Sequence, residues 1–235
     1  MENFYRRRLL GGGLSLGALT LLTGCDISDD DTVQRVLGAV SRWNDRVQGT
    51  LFSGTRLAPE FDESLAVKNF RYNAWYPADK APRLDAASFK LKLAGLIETK
   101  TPWTVDQLYA LPQQSQVTRH VCVEGWNMIG KWTGTPLHVF LQRVGADTTA
   151  RYVGYECADG YYESMDMATA LHPQTQLTLD FRNAPLPAKY GYPLKLRVPT
   201  KLGFKNPKHI AEIFVTNTNP GGYWEDQGYN WFSGL

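Results

Sequence analysis

The sequence predicts an α+β domain, on three observations. Several short runs alternate apolar and polar residues at strand spacing. Others repeat apolar residues at helical spacing, and the two kinds mix without the strand–helix–strand rhythm of a doubly wound sheet. Turn signals recur between them, with no internal repeat and no low-complexity tract.

In chain order, Val33, Val36, Leu37, Val40, Trp43 and Val47 recur at helical spacing, which predicts a packing helix over 32–52 with Asp31 as its cap. Residues 53–88 carry prolines, glycine and many aromatics without a period, and read as irregular coil. Residues 89–93 (FKLKL) alternate and predict a strand ending at Gly95. Thr104 followed by Val105, Leu108 and Leu111 predicts a capped helix, and residues 117–123 a strand. Residues 135–144 predict a helix, opened by Pro136 and closed by Gly145. Residues 152–157 and 161–165 flank Asp159-Gly160, a good hairpin turn. Further strands are predicted at 177–181, 195–198 and 210–216.

The chain has 235 residues, 43% hydrophobic, 12% aromatic and 20% charged. That is enough apolar material for one core and too little charge for wholesale disorder. The formal charge is +2, and the first 24 residues account for it, with Arg6, Arg7 and Arg8 against Glu2. The remainder is near neutral, so nothing in the charge balance points to nucleic acid.

Those first residues, MENFYRRRLLGGGLSLGALTLLTGC, read as an export leader. A basic start precedes an apolar run over 9–24, too short for the roughly 20 residues of a membrane-spanning helix. Paired arginines before Leu9 and Leu10 resemble a twin-arginine signal. Leu22-Thr23-Gly24-Cys25 resembles a bacterial lipobox, which implies a lipid anchor at Cys25, and Asp26 resembles an inner-membrane retention signal. The expected localisation is periplasmic, tethered to the inner membrane. The twin-arginine route carries proteins already folded, commonly around a cofactor. Residues 1–24 are expected as the signal peptide, 25–58 as a tether and N-terminal helix, and 59–235 as the functional domain.

Besides Cys25 the chain holds Cys122 and Cys157. In an oxidising compartment the plain expectation is a disulfide between them. The setting of Cys122 argues otherwise. Strand alternation puts Thr118, His120 and Cys122 on one face, and Glu124 joins them if the strand runs on. Gly125 then allows a tight turn or a close approach. His120 and Cys122 alone are a thin zinc set. A cysteine–histidine nucleophile is possible, with no signature to support it. On spacing alone the job of Cys122 stays open.

Three blocks supply more. Val121-Cys122-Val123-Glu124-Gly125-Trp126, continued by Gly130-Lys131-Trp132-Thr133-Gly134-Thr135-Pro136-Leu137, resembles the molybdenum-binding segment of the sulfite oxidase superfamily. Residues 155–161 (YECADGY) resemble that family's strand and DGY turn. Residues 191–199 (GYPLKLRVP) and 203–208 (GFKNPK) resemble its pterin-binding segment. The blocks occur in family order, and the likeness spans about residues 70–225. It is nearest to the bacterial protein-methionine-sulfoxide reductase branch.

The resemblance implies a sulfite oxidase-type molybdopterin-binding domain, with mixed sheets and short helices. It implies a molybdenum-molybdopterin cofactor (Mo-MPT), its metal held by the thiolate of Cys122, a soft donor suited to that role. Asn73 and Tyr76 match an N-x-x-Y cofactor contact, and Cys157 falls where the branch has a threonine contact. Lys195 stands where the family usually has arginine, and Tyr190 where it has histidine or asparagine. Lysine keeps the charge and loses the planar fork. Asn206 and Lys208 match the loop that holds the phosphate. Glu124 is placed either to relay a proton or to make a structural hydrogen bond. Trp126 and Trp132 are expected as pocket walls or core, and His138, His172 and His209 carry no functional argument.

A sulfite oxidase has a second, dimerising domain and several substrate arginines. The chain ends at Leu235, and near Cys122 only Arg119 appears, on the opposite face. The expectation is therefore a monomer that removes oxygen from S-oxides such as methionine sulfoxide in proteins. No C-x-x-C-H haem motif is present, so electrons are expected from a membrane-bound haem b, quinol-linked cytochrome subunit. The alternatives are a sulfite-type oxidase of the same family, or a non-enzymatic lipoprotein stapled by a Cys122–Cys157 disulfide.

Overall fold

The structure, a computed structural model, describes residues 31–235. The leader, the Cys25 anchor, Asp26 and most of the polar tether lie outside the described residues. The chain divides into two units at Val47/Gln48. The first described element, helix α1 (Asp31–Leu51), begins in the first unit. Asp31 lies inside its first turn, where a carboxylate suits the exposed N–H groups. The apolar stripe is present, but none of the helix's residues is buried. The expectation of a packing helix is corrected on that point: periodicity forms a helix locally, and burial needs a partner surface.

Two sheets build the second unit. One runs in the order β1–β9–β4–β5. Strands β4 (Tyr152–Cys157) and β5 (Tyr162–Asp166) form the hairpin about Asp159-Gly160, and β9 (Ile210–Thr216) pairs antiparallel with β4. Strand β1 (Lys92–Gly95) pairs parallel with β9, Leu93 opposite Ile213. The other sheet runs β2 (Gln114–Val121), β3 (Asn127–Pro136), β6 (Gln176–Phe181), β7 (Ala184–Pro185), and β8 (Lys195–Arg197) also pairs with β6.

Helices are few and short. In α2 (Val105–Tyr109) the Thr104 hydroxyl accepts from Gln107 N–H and the Gln107 side chain accepts from Thr104 N–H, a reciprocal cap. Helix α3 (Leu137–Arg143) starts two residues later than predicted, because Thr135 and Pro136 complete β3. Helix α4 (Met167–Ala170) is a single turn capped by Asp166. Residues 53–88 are irregular apart from two one-turn 3-10 helices, Glu63–Leu65 and Ala78–Lys80. The main core joins both sheets through Leu93, Leu137, Phe140, Leu141, Val153, Leu177, Leu196 and Ile213. Each such side chain contributes roughly 1.5–3 kcal/mol by burial. A smaller cluster, Phe70, Trp132, Phe181, Leu186 and Tyr190, lies beside it.

Two corrections bear on the site. Strand β2 ends at Val121, so Cys122 opens the β2–β3 hairpin loop and Glu124 does not share a strand face with it. Cys122 and Cys157 are both free thiols, which overturns the disulfide-stapled lipoprotein. Cys157 ends β4 and packs in the main core, while Cys122 lies in the loop that joins β2 to β3 of the other sheet.

Candidate active site

The hairpin loop holds Cys122 by backbone geometry. Cys122 N–H donates to Trp126 C=O at 2.9 Å, and Gly125 N–H donates to Cys122 C=O at 3.0 Å. Gly125 turns the chain at φ +89°, a region other residues avoid. Cys122 is only 3% exposed, and Asn73 Nδ2 donates to its sulfur at 3.3 Å. Burial pushes the thiol up in pKa, with the Glu124 backbone hydrogen bond, Arg71 and Asn73 pulling the other way. A bound metal would deprotonate it outright.

Two chambers flank this loop and share Asn73, Gly203, Asn206 and Lys208 as walls. The outer one, about 270 Å³, is lined by aromatics, among them Trp75, Tyr76, Tyr161, Phe204 and Trp224, with the carboxylates of Glu124 and Asp159. The inner one, about 40 Å³, is basic. Lys195, Lys189 and Arg71 line it beside His120, Trp132 and Tyr190.

Most of the predicted residues meet here. Tyr76 O–H donates to Asp159 Oδ2 at 2.6 Å, and burial together with that carboxylate pushes its pKa far up. Tyr190 O–H donates to Phe70 C=O at 2.7 Å. Lys195 Nζ donates to Asn206 C=O at 3.0 Å, and Lys208 Nζ donates to Asn73 C=O. Burial pulls Lys208 down to about 8 and Lys195 well below the usual lysine range, where Lys208 and Arg197 add to the effect. Glu124 Oε2 accepts from Trp126 Nε1 at 2.8 Å, the hydrogen-bonding alternative for that side chain. Arg119 faces away, stacked on Phe61, as alternation predicts.

Asn206 and Cys157 are placed differently from the rest. Asn206 lines both chambers, but its side chain is engaged by the protein: Oδ1 accepts from Arg197 and from Val198 N–H, each at 2.8 Å, and Nδ2 donates to Leu202 C=O at 3.2 Å. Its side chain braces the loop that walls both chambers. Neither Cys122 nor Cys157 is a wall of either chamber, and burial pushes the Cys157 thiol well up.

Arg197 was missed, although a lone arginine in the apolar run LKLRV is a visible signal. It is fully buried, donates to Asn206, Thr118 and Arg119 C=O, and leaves Nε unpaired. His120 is buried as well, and burial with the three nearby cations keeps it neutral. Among the described residues no carboxylate forms an ion pair with Lys195, Arg197 or Lys208. Buried cations without a counter-charge are costly alone and fit an anionic group such as a phosphate. No cluster of three or more His, Cys, Asp or Glu among the described residues could hold a metal by itself. The donor set therefore fits one soft thiolate beside a cofactor that brings its remaining ligands and a phosphate.

Comparison with known proteins agrees. Residues 78–224, more than half of the chain, match the family described as "Oxidoreductase molybdopterin binding domain". The chain belongs to the molybdopterin-binding oxidoreductases. A relative in Azospira oryzae, provisionally named protein-methionine-sulfoxide reductase subunit YedZ1, is 59% identical over 229 residues, 97% of this chain and 87% of that one. The protein-methionine-sulfoxide reductase catalytic subunit MsrP of Xanthomonas campestris is 31% identical over 78% of this chain and 65% of its own length. That of Ralstonia nicotianae is 30% identical over 70% and 55%. The oxidoreductase thus spans under two thirds of these MsrP relatives. Its fold resembles the sulfane dehydrogenase SoxCD of Paracoccus pantotrophus, with TM-score 0.55 and 20% identity over 59% of this chain and 40% of that one. The α+β, sulfite oxidase-type expectation holds, and the cofactor of this oxidoreductase is molybdenum-molybdopterin.

Gly203 was also missed. A Cβ there would lie 2.4 Å from His120 Nε2, and that ring is packed against Phe70 and Trp126. Gly203→Ala is expected to lower stability by about 1–3 kcal/mol, the cost of overpacking, and to reduce cofactor loading, since Gly203 is a wall of both chambers. Melting temperature and the molybdenum-to-protein ratio check this.

Proposed function

We propose that this oxidoreductase is exported by the twin-arginine route, tethered to the inner membrane through Cys25, and reduces S-oxides, with methionine sulfoxide in proteins as its substrate. The observation that carries the substrate class is the wall of the outer chamber. Its aromatic faces suit the apolar arms of a neutral S-oxide, and sulfur packs well on aromatic rings. Glu124 and Asp159 would repel the sulfite dianion. Lys195 stands at the inner chamber, Arg197 behind it and Lys208 at the wall between the two chambers, where they serve the cofactor.

In this reading Cys122 holds the metal, and Lys195, Lys208 and Arg197 offset the phosphate charge. Asn73, a wall of both chambers, Tyr76 of the outer one and Tyr190 of the inner one shape the cavity around a pterin that reaches into both. When bound, the cofactor supplies a two-electron centre that takes up an oxygen atom. The chain does the rest. Trp75, Phe204 and Trp224 orient the substrate and exclude water. Glu124, held by the Trp126 indole on the same loop as Cys122, offers a hydrogen-bonding group to the departing water. Electrons come from a membrane-bound haem b cytochrome subunit linked to quinol, a partner supported by relatives named as subunits.

The test is turnover of methionine sulfoxide by cofactor-loaded protein with a reduced viologen dye. Dye oxidation dependent on the sulfoxide is the expected result. No turnover, or dye reduction driven by sulfite instead, would overturn the substrate.

A further inference from the structure

Behind the outer chamber lies a charged cluster that this reading does not use. Tyr161 immediately precedes β5 and Glu163 is its second residue. Glu163 is 1% exposed. Its Oε1 accepts from Lys205 Nζ at 2.6 Å and from Ser164 N–H at 2.8 Å. Lys205 also donates to Glu225 Oε1 at 2.5 Å. Two carboxylates thus share one ammonium away from water, and Glu225 Oε2 is buried with no hydrogen-bond partner. Fully ionised, the cluster would carry an uncompensated negative charge, which a buried site disfavours.

A single proton on Glu163 removes that excess. Burial pushes the Glu163 carboxyl up to about 8, with Lys205 opposing and Glu225 adding. Burial also acts against the Lys205 ammonium, but the two carboxylates more than offset it. The other titratable groups facing Glu163 are Tyr161, and Tyr155 and Cys157 on β4. Burial first, then Glu163 or neighbouring acids, drives all three up, so they stay neutral. Glu163 is therefore set against Lys205 and Glu225 alone. Its Oε2 lies 3.2 Å from the Tyr161 hydroxyl, which donates to Phe204 C=O at 2.8 Å. Tyr161 and Phe204 are walls of the outer chamber; Glu163 is not.

We propose that Glu163 is a proton store for the reaction, delivering to the outer chamber through the hydroxyl of Tyr161. The inference rests on the S-oxide reading. Reduction of an S-oxide breaks the sulfur–oxygen bond, consumes two electrons and two protons, and releases a thioether and water. The electrons come from the cytochrome, or from the reduced viologen in the assay. One of the two protons leaves Glu163 Oε2 for the Tyr161 oxygen as the Tyr161 hydroxyl turns from Phe204 C=O and gives its own proton to the oxygen that departs as water; the second proton comes from solvent. The carboxylate left behind is held by Lys205 and Ser164 N–H and is reprotonated from solvent before the next turnover.

The test compares loaded wild type, Glu163→Gln, Tyr161→Phe and Glu225→Gln across pH. The wild type is expected to lose rate on the basic side as Glu163 ionises. Glu163→Gln and Tyr161→Phe should fall about 100-fold at neutral pH, the scale of a positioned acid, and lose that limb. Glu225→Gln should move the limb to lower pH, because a repelling charge is gone. A second readout needs no turnover. The folded state holds a Glu163 proton that the unfolded chain releases above its ordinary value of 4.5. Between about 4.5 and 8, wild-type stability should therefore fall with rising pH relative to Glu163→Gln. Superimposable rate profiles with an active wild type overturn the relay alone, as does an unfolding difference that does not vary with pH. A wild type that turns over no S-oxide at any pH sinks the S-oxide reading along with it.

Discussion

Replacing Cys122 by serine or alanine is expected to cut S-oxide turnover by about a thousandfold or more, equal to some 4 kcal/mol of barrier. The loss follows from the softness of the donor and not from the fold. Losing a group that merely orients a ligand costs about 10–100-fold in metal affinity, and removal of a direct ligand exceeds that. The loop itself should survive, because its turn is closed by backbone bonds, Cys122 N–H to Trp126 C=O and Gly125 N–H to Cys122 C=O. Melting temperature should stay close to wild type in cofactor-free protein, while molybdenum content drops. A serine variant with normal molybdenum and normal rate would take Cys122 off the metal.

Lys205→Met is expected to have the largest effect on stability. The lysine is 1% exposed and bonded to two buried carboxylates at 2.6 and 2.5 Å. Removing one member of such a set leaves charges that must take up protons or stay unpaired, at about 3–5 kcal/mol. For a chain of this size that is a fall of roughly 6–20 °C in melting temperature. The sign with pH is fixed. Without the ammonium nothing opposes the burial that pushes the Glu163 carboxyl up, so the folded state is favoured in acid and loses ground as pH rises. The deficit should therefore be small near pH 5 and grow toward pH 8. Adding Glu163→Gln and Glu225→Gln to Lys205→Met should recover much of the loss, because no buried charge then remains. Melting curves at several pH values decide this, and a deficit independent of pH would show that lost packing, not charge, is what the lysine supplies.

Local chemistry made some elements legible. The Asp159-Gly160 turn, the reciprocal cap at Thr104 and the run at 210–216 appear where their residues put them. Strand β3 was not legible as a strand. Gly130 and Gly134 interrupt its alternation, and the fully buried Trp132 sits among polar neighbours, so its period is visible only once β2 and β6 lie on either side. The site divides in the same way. Cys122, Lys195 and Lys208 stood out through motif likeness, which spacing alone did not supply. Lys205 carried no reading of its own in GFKNPK, and its partners are 42 and 20 residues distant in the chain. Such a cluster exists only in three dimensions, and no local pattern announces it. Asn206 shows the converse: the motif named the right residue, but the fold gave its side chain to Arg197 and Val198.

The parallel pairing of β1 with β9 also governs the timing of assembly. Lys92 and Glu212 are neighbours in space and lie far apart along the polymer, so the sheet cannot close until nearly the whole chain has left the ribosome. The cavity walls run from Asn73 to Trp224 and share that delay. A nascent fragment offers no enclosed seat for a cofactor. Loading is thus a step for the finished polypeptide.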